Sequence, residues 1–181
     1  MKISSLFIPE VKILEPQYFE DSRGYFAEVY SKKVFNELGI NVSFVQDNHS
    51  YTAKKGTIRG FHCQLNPDSQ DKLVRCIRGA ILDVAVDVRK NSETYLKSVS
   101  VILSEENKKQ IYIPSGFLHG FITLTDNCEI IYKVNKFYNP KLDRSVAWND
   151  PDINFAWNIE NPILSEKDKN APLLRYSDIK F

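Results

Sequence analysis

The middle of the chain alternates apolar and polar residues in short stretches, and this pattern constrains the fold more than any other feature. Residues 73–88 contain two such stretches, and in the second Asp83 and Asp87 fall on the face opposite a row of leucine and valine residues. This alternation predicts a strand with one buried face and one solvated face. Further short strands are predicted at residues 98–103, 110–113, 120–124 and 129–135. Strands at this spacing, with turns between them, favour an antiparallel sandwich or barrel.

Outside this strand region the sequence predicts one helix and a turn-rich C-terminal segment. Ser31 can cap a helix of barely two turns, which Gly39 is expected to end. After about residue 138, four X–Pro pairs indicate turns. We expect this segment to wrap back over the strands, with Trp148 and Trp157 packed on them.

Composition and charge exclude several classes of protein. Hydrophobic residues make up 43% of the 181 residues and charged residues 26%, which excludes a disordered or fibrous chain. No repeat, low-complexity tract or linker is present, so residues 1–181 are predicted to form one domain. A formal net charge of +1 provides no overall positive field to collect nucleic acid or an anionic membrane surface.

The cellular location is predicted from the absence of membrane signals and from the cysteines. No apolar run approaches the ~20 residues of a membrane span, and the first residues lack a signal-peptide core. Cys63, Cys76 and Cys128 are far apart and form no CxxC pair, which predicts free, buried thiols and not a disulfide framework or a zinc site. We therefore expect a cytoplasmic protein without membrane or nucleic-acid partners.

Two of the three histidines lie in spacings that resemble the two halves of the cupin signature. The segment 56–62 places a glycine six residues before His62, and the segment 114–119 has the PxGxxH spacing that ends at His119. Metal-binding cupins carry another histidine at the position that Gln64 occupies here. Because two histidines without a nearby carboxylate are a poor ligand set, we expect no metal, and His62 is then free to act as a base. A metal-dependent cupin isomerase or dioxygenase that uses both histidines remains the alternative.

Eight segments between about residue 3 and residue 174 carry a more specific resemblance. They are DSRGYFAEVY (21–30), FVQDNHS (44–50), IRGFHCQ (58–64), KLVRCIRG (72–79), LDVAVDVR (82–89), YIPSGFLHGF (112–121), IIYK (130–133) and LSEKDKNAPLL (164–174). In this order they resemble the dTDP-4-dehydrorhamnose 3,5-epimerase family of nucleotide-sugar epimerases. The resemblance implies a mainly β chain that forms a cupin-type antiparallel β-barrel, a double-stranded jelly roll with a few short helices. It also implies no cofactor and a homodimer in which the N-terminal strand and aromatic residues contribute to the partner's pocket.

The resemblance implies proton abstraction next to a ketone. In a nucleotide-linked 4-keto-6-deoxy sugar, the hydrogens at C3 and C5 are acidic because the carbanion is an enolate of the C4 carbonyl. Inversion needs a base, an acid on the opposite face and a donor or cation at the carbonyl oxygen. By resemblance, His62 is the base and Asp168 orients it. Tyr132 is the matching acid, and Lys72 lies near the sugar carbonyl.

The remaining matched residues suit an anionic nucleotide sugar. By resemblance, Arg23, Arg59 and Lys167 are candidates for the diphosphate, because guanidinium groups make paired contacts to phosphate oxygens. The other candidates comprise polar residues around the base and sugar, aromatic residues that could stack on the nucleobase, and further pocket residues: Glu28, Gln46, Asp47, Asn48, Phe26, Phe137, Tyr138, His119 and Asp143.

Some residues depart from the family pattern and leave the substrate open. Asp71 stands directly before Lys72, where the dTDP enzymes have a small residue, and Cys63 replaces a larger residue after His62. The sequence is therefore compatible with dTDP-4-keto-6-deoxyglucose or a GDP-linked 4-keto heptose as substrate. It is also compatible with inversion at both carbons or at C3 alone. A sugar-nucleotide-binding protein without catalysis is the non-enzyme alternative.

Overall fold

The computed structural model describes all 181 residues and consists mainly of β-strands. The strands are β1 Lys2–Ser5, β2 Lys12–Glu15, β3 Tyr18–Asp21, β4 Gly24–Ala27, β5 Gln46–Thr52, β6 Ile58–Gln64, β7 Lys72–Arg78, β8 Ala80–Asp87, β9 Ser98–Ser104, β10 Gln110–Ile113, β11 Phe117–Thr123, β12 Cys128–Val134 and β13 Asp143–Ser145. The helices are α1 Lys32–Glu37, α2 Glu166–Lys169 and a 3₁₀ turn at Leu174–Tyr176. No helix has the length and apolar character needed to cross a membrane.

The strands form two large antiparallel sheets and a separate hairpin. One sheet has six strands in the order β1-β2-β10-β7-β12-β5, and the other has five in the order β13-β6-β11-β8-β9. Strands β3 and β4 pair only with each other. The predicted mainly β, antiparallel class is confirmed, although the two sheets are not joined by hydrogen bonds into one closed barrel.

The main hydrophobic core lies between the two sheets. Val74 and Ile130 of the six-stranded sheet share one buried cluster with Ala85, Leu103 and Phe117 of the five-stranded sheet. Burial of apolar side chains from both inner faces is what holds the sheets together, since each sheet alone would expose one apolar face to water.

Both outer faces are also covered. Phe35 of α1 packs with Leu14 and Leu73 on the outside of the six-stranded sheet. The C-terminal segment packs Trp157 on the outside of the five-stranded sheet, and Trp148 lies against the same cluster. The predicted wrapping of this segment is therefore confirmed.

The strand predicted at the end of residues 73–88 exists, but the prediction that one of its faces is solvated is wrong. Asp83 and Asp87 of β8 are both 0% exposed. The two aspartates are on the face opposite Val84 and Val86, as predicted, but that face points between the sheets, and the C-terminal segment covers the valine face. Alternation identifies two faces and does not say whether either of them meets water.

Two other predictions agree with the structure only in part, and a third agrees in full. Strand β11 begins three residues earlier than predicted and therefore includes His119. Helix α1 follows Ser31, which makes no side-chain capping bond, and it is followed by Gly39 with a positive φ of 82°. The three cysteines are free and buried, as expected.

Candidate active site

A cavity of about 320 Å³ opens between the two sheets and contains the four residues predicted to be catalytic. The six-stranded sheet contributes Lys72 and Tyr132, the five-stranded sheet contributes His62, and α2 contributes Asp168. The rest of the lining comprises Ser50, Arg59, His119, Phe121, Ile130, Ser165 and Lys167. Groups from four separate segments of the chain therefore converge on one space.

His62 and Asp168 form a hydrogen-bonded pair at the wall of the cavity. His62 Nε2 lies 2.6 Å from Asp168 Oδ1, and the aspartate side chain is only 4% exposed. Burial opposes ionisation of Asp168, but hydrogen bonds from His62 and Ser165 hold the pKa of its carboxyl below the usual range. An ionised carboxylate on Nε2 leaves Nδ1 as the ring nitrogen that can accept a proton.

The backbone next to this pair is unusually close to the neighbouring strand. Gly60 has a φ of +123°, and a Cβ atom there would lie 2.6 Å from the Cα of Gly120. Only glycine permits both the conformation and the approach. This approach lies beside the point where His62 of β6 and His119 of β11 are directly paired across the strands, so both rings are held at one end of the cavity.

His119 forms a second histidine–carboxylate pair, with an aspartate that the sequence analysis did not select. Its Nε2 lies 2.9 Å from Asp83 Oδ2, and Asp83 Oδ1 is buried without any hydrogen-bond partner. Burial lowers the pKa of His119, and the charge of Asp83 opposes this effect. The ring is thus favoured in its neutral form in a pocket that also holds Lys72.

Lys72 points into the cavity with no hydrogen bond or ion pair at its ammonium group. Burial lowers its pKa, whereas the nearby charge of Asp83 raises it. The neighbouring Asp71 does not compete for this ammonium, because its carboxylate accepts hydrogen bonds from the Tyr112 hydroxyl at 2.9 Å and the Ser115 N–H at 2.7 Å. The departure from the family pattern at Asp71 therefore leaves Lys72 free for a ligand oxygen.

Tyr132 enters the cavity from the sheet opposite His62. Burial raises the pKa of its hydroxyl, with the charge of Arg59 acting in the opposite direction. The hydroxyl is therefore protonated at neutral pH and can donate a proton. His62 and Tyr132 therefore line the same cavity from two different sheets.

Cationic and polar groups occur towards the mouth of the cavity. Arg59 donates to Thr52 Oγ1 at 3.0 Å and to the Tyr51 carbonyl at 3.1 Å. Lys167 donates to Asp143 Oδ2 at 2.5 Å, and the Tyr138 hydroxyl donates to the same oxygen at 3.2 Å. The charges of Arg59 and Lys167 lie on the same cavity, as a diphosphate would require.

Strand β5 divides its candidate residues between two faces. Asn48 is the register partner of Tyr132, and the Gln46 amide donates to Asn48 Oδ1 at 2.8 Å. Asp47 belongs to the opposite face, where it accepts a hydrogen bond from Lys133 at 2.7 Å. The structure therefore groups Gln46 and Asn48 with the cavity side and does not bring Asp47 to it.

Three candidates on or next to the β3–β4 hairpin do not reach the cavity of their own chain. Arg23 is 87% exposed and is paired with Asp21 at the end of β3. Phe26 is 70% exposed, and Glu28 follows β4 on the surface. Phe137 is also exposed.

Four residues that line the cavity were not predicted from the sequence, namely Ser50, Phe121, Ile130 and Ser165, and neither was Asp83, the buried partner of His119. Asp83 could have been found from its position, since an acidic residue inside a valine-rich strand needs a buried partner. Ser165 precedes Asp168 by three residues, which is the spacing of a helix N-cap and the residue it binds. No group of three or more His, Cys, Asp or Glu side chains is arranged to hold a metal ion.

Comparisons with known proteins agree with this site. A family model described as dTDP-4-dehydrorhamnose 3,5-epimerase matches residues 5–176. A protein of that name from Shigella flexneri is 51% identical over 172 residues, which are 94% of this chain and 94% of that protein.

Two solved structures are similar along nearly their whole length. The enzyme of the same name from Bacillus anthracis, solved with TDP and PPi bound, is 47% identical, has a TM-score of 0.93, and the match covers 96% of this chain and 99% of that chain. The Legionella pneumophila dTDP-6-deoxy-D-glucose-3,5-epimerase, solved in complex with dTDP-4-keto-L-rhamnose, is 42% identical with a TM-score of 0.93, covering 98% and 94% of the two chains. By sequence and by structure, this chain belongs to the dTDP-4-dehydrorhamnose 3,5-epimerase family.

Proposed function

We propose that this isomerase inverts C3 and C5 of dTDP-4-keto-6-deoxyglucose through enolate intermediates. The single observation that carries the proposal is the placement of the His62–Asp168 pair and Tyr132 on opposite sides of one cavity, with the unpaired ammonium of Lys72 in the same space. The relatives act on or bind dTDP sugars, which supports the choice of nucleotide.

His62 is the proposed base in each inversion. Its free ring nitrogen takes the proton from C3 or C5, and Asp168 stabilises the imidazolium that forms. The electron pair of the broken C–H bond moves into the enolate, whose oxygen at C4 is stabilised by the Lys72 ammonium. Because charge on that oxygen grows only as the bond breaks, Lys72 is expected to act on turnover more than on binding.

Tyr132 is the proposed acid that completes the inversion. Its hydroxyl gives a proton to the same carbon from the opposite face, which changes the configuration and leaves a tyrosinate and an imidazolium. Loss of a proton from His62 and return of one to Tyr132, both by exchange with solvent, restore the starting state. No oxidant, reductant or metal takes part in this sequence of steps.

The nucleotide end of the substrate is assigned to the cationic mouth and to a second copy of the chain. Arg59 and Lys167 are the proposed diphosphate ligands within one subunit, and Gln46, Asn48 and Tyr138 suit the nucleobase and sugar. Arg23, Phe26 and Glu28 are proposed to reach the pocket of the partner in a homodimer. The exposed aromatic side chains of their hairpin support this arrangement, since such a surface is favoured at an interface.

We also propose a cytoplasmic location. All three cysteines are free, and disulfides are rare in that compartment.

Deuterium incorporation tests the proposed function. The protein is incubated in D₂O with dTDP-4-keto-6-deoxyglucose, and separately with a GDP-linked 4-keto heptose, and exchange at C3 and C5 is followed by NMR. Exchange at both carbons of the dTDP sugar, lost in His62→Ala, is the expected result. Exchange at C3 alone would make the protein a 3-epimerase. Exchange in the GDP-linked heptose but not in the dTDP sugar would identify the heptose as the substrate. Binding of the dTDP sugar without exchange would identify a sugar-nucleotide-binding protein and contradict the proposal.

A further inference from the structure

We propose that Ser165 is a positioning residue that fixes the Asp168 carboxylate for catalysis, an inference that rests on the proposed function of the His62–Asp168 pair. Ser165 lies on the cavity and directly precedes α2.

The hydrogen bonds of Ser165 to Asp168 are reciprocal. The Ser165 hydroxyl donates to Asp168 Oδ2 at 2.9 Å, and the Asp168 backbone N–H donates to Ser165 Oγ at 3.1 Å. The other carboxylate oxygen, Oδ1, lies 2.6 Å from His62 Nε2. Each oxygen of Asp168 therefore has its own side-chain partner, and the Gly60 backbone is a further donor to the carboxylate. Rotation of the carboxylate would break both side-chain bonds at once.

Helix α2 is too short to hold Asp168 in position by itself. It has four residues, and helices of this length are not stable by propensity alone. The nearest charged side chains of the helix are engaged elsewhere, because Lys167 binds Asp143 and Lys169 binds Glu166. Ser165 is thus the side chain of this segment that contacts the Asp168 carboxylate.

The Ser165 hydroxyl also affects the proton affinity of the His62–Asp168 pair. A donor to the ionised carboxylate stabilises the deprotonated form of the pair, so its removal raises the affinity of the pair for a proton. A substitution at Ser165 leaves the other titratable or charged groups unchanged, so they form a constant background. Those that line the cavity are Arg59 of β6, Lys72 of β7, His119 of β11, Tyr132 of β12 and Lys167 of α2, and those that contact a lining residue are Asp83 of β8 and Asp143 of β13.

Three substitutions separate this role from simple capping of α2. Ser165→Thr keeps both the donor and the acceptor, Ser165→Ala removes both, and Ser165→Asp keeps a good N-cap acceptor but has no proton to donate and adds a like charge. If Ser165 acts only as a helix cap, Ser165→Asp is more active than Ser165→Ala, because it keeps the cap. If it positions the carboxylate, Ser165→Asp is at least as impaired as Ser165→Ala.

The expected result is a loss in turnover with a shifted pH profile. We expect kcat of Ser165→Ala to fall roughly 10- to 100-fold, as for other side chains that orient a catalytic group, with little change in KM because no substrate contact is removed. The acidic limb of the kcat–pH profile moves to higher pH in Ser165→Ala and further in Ser165→Asp, whereas Ser165→Thr restores both kcat and the limb. Ser177→Ala is the matched control, since the Ser177 hydroxyl caps the 3₁₀ turn through the Leu174 carbonyl and touches no cavity residue.

A measurement without substrate keeps this inference separate from the proposed reaction. The ring nitrogens of His62 are followed by NMR as the pH is changed in the free protein. The titration midpoint of the pair is expected to rise in Ser165→Ala and Ser165→Asp and to stay in place in Ser165→Thr. Unchanged midpoints in all three variants would overturn the role of Ser165, whether or not the protein epimerises dTDP-4-keto-6-deoxyglucose. Shifted midpoints with no epimerisation would overturn the proposed function alone.

Discussion

Asp83 and Asp87 lie four residues apart on the same face of the same strand, and both are completely buried, yet their surroundings differ. Asp87 accepts hydrogen bonds on both oxygens from Arg89, and Ser92 and Thr94 add two more. Asp83 has one partner, His119, and one oxygen with none.

The difference separates a structural carboxylate from one that belongs to a site. A buried charge with every lone pair occupied contributes to stability, whereas a buried oxygen left without a donor costs free energy. The end of β8 at Asp87, where both carboxylate oxygens are hydrogen-bonded, is therefore expected to stabilise the fold. The end at Asp83, where one oxygen has no partner, is expected to take part in the chemistry of the cavity.

The largest expected effect is on the cavity side, at Lys72. Lys72→Met keeps the aliphatic length of the side chain and removes the charge that faces the enolate oxygen. We expect kcat to fall by roughly 10²- to 10³-fold with a smaller change in KM, as for removal of other oxyanion donors. The temperature of thermal unfolding is expected to be unchanged or raised, because a half-buried ammonium without a partner is removed. If Lys72→Met lowered the unfolding temperature as well as kcat, the separation between the cavity end and the structural end of β8 would be contradicted.

On the structural side, Asp87→Asn should show the reverse pattern. Removal of one partner of a buried ion pair costs about 3 to 5 kcal/mol, and we expect the lower end, about 3 kcal/mol, because Arg89 retains Glu10 as a second partner. Urea unfolding measures this loss. Epimerase activity of the folded variant at low temperature should equal that of the unchanged protein, and a specific loss of kcat would show that the two ends are coupled.

The stability that Asp87 provides is expected to depend on pH. Burial would raise the pKa of its carboxyl, but hydrogen bonds from Arg89, Ser92 and Thr94 outweigh burial and lower the pKa to about 2. Since the unfolded value is higher, this contribution of about 2 kcal/mol is fully present above about pH 4 and is lost as the pH falls through 2. The difference in unfolding free energy between the unchanged protein and Asp87→Asn should therefore narrow between pH 4 and pH 2. A constant difference over this range would exclude the carboxylate as its source.

Of the two aspartates of β8, Asp83 is expected to give the smaller change in stability. Asp83→Asn keeps the shape of the side chain and an oxygen that can bond His119, and it removes the charge of a carboxylate with one unpartnered oxygen. The free energy of unfolding should therefore change by less than about 1 kcal/mol, in either direction. Activity should still fall, because His119 and Lys72 both lose a neighbouring negative charge. Loss of several kcal/mol on urea unfolding would place Asp83 with Asp87 as a structural residue.

The sequence predicts the strands of the fold better than the interior of the site. Alternation in residues 73–88 and the short strands that follow it were enough for the antiparallel β class. Alternation could not show that the aspartate face of β8 points inward, because that depends on the C-terminal segment that covers the other face.

The candidate site was predicted from the family resemblance and not from local pattern. Nothing local in the sequence relates His62 to Asp168, which are 106 residues apart and meet only through the packing of α2 on the sheet. A four-residue helix has no periodic signal, so only the three-residue spacing of Ser165 and Asp168, typical of a helix N-cap, points to the contact between them. Arg23 and Phe26 lie outside the cavity of their own chain, and a single chain cannot show which second surface they meet.

The most direct test of the account is the stereochemistry of deuterium incorporation by Tyr132→Phe in D₂O. If His62 and Tyr132 act from facing sheets on opposite sides of the sugar, the unchanged protein incorporates deuterium with inversion. Tyr132→Phe still exchanges the protons that His62 removes, but the sugar keeps its original configuration because deuterium returns from the His62 side. Inversion by Tyr132→Phe at the unchanged rate would contradict the proposed acid, and complete loss of exchange in the folded variant would contradict His62 as an independent base.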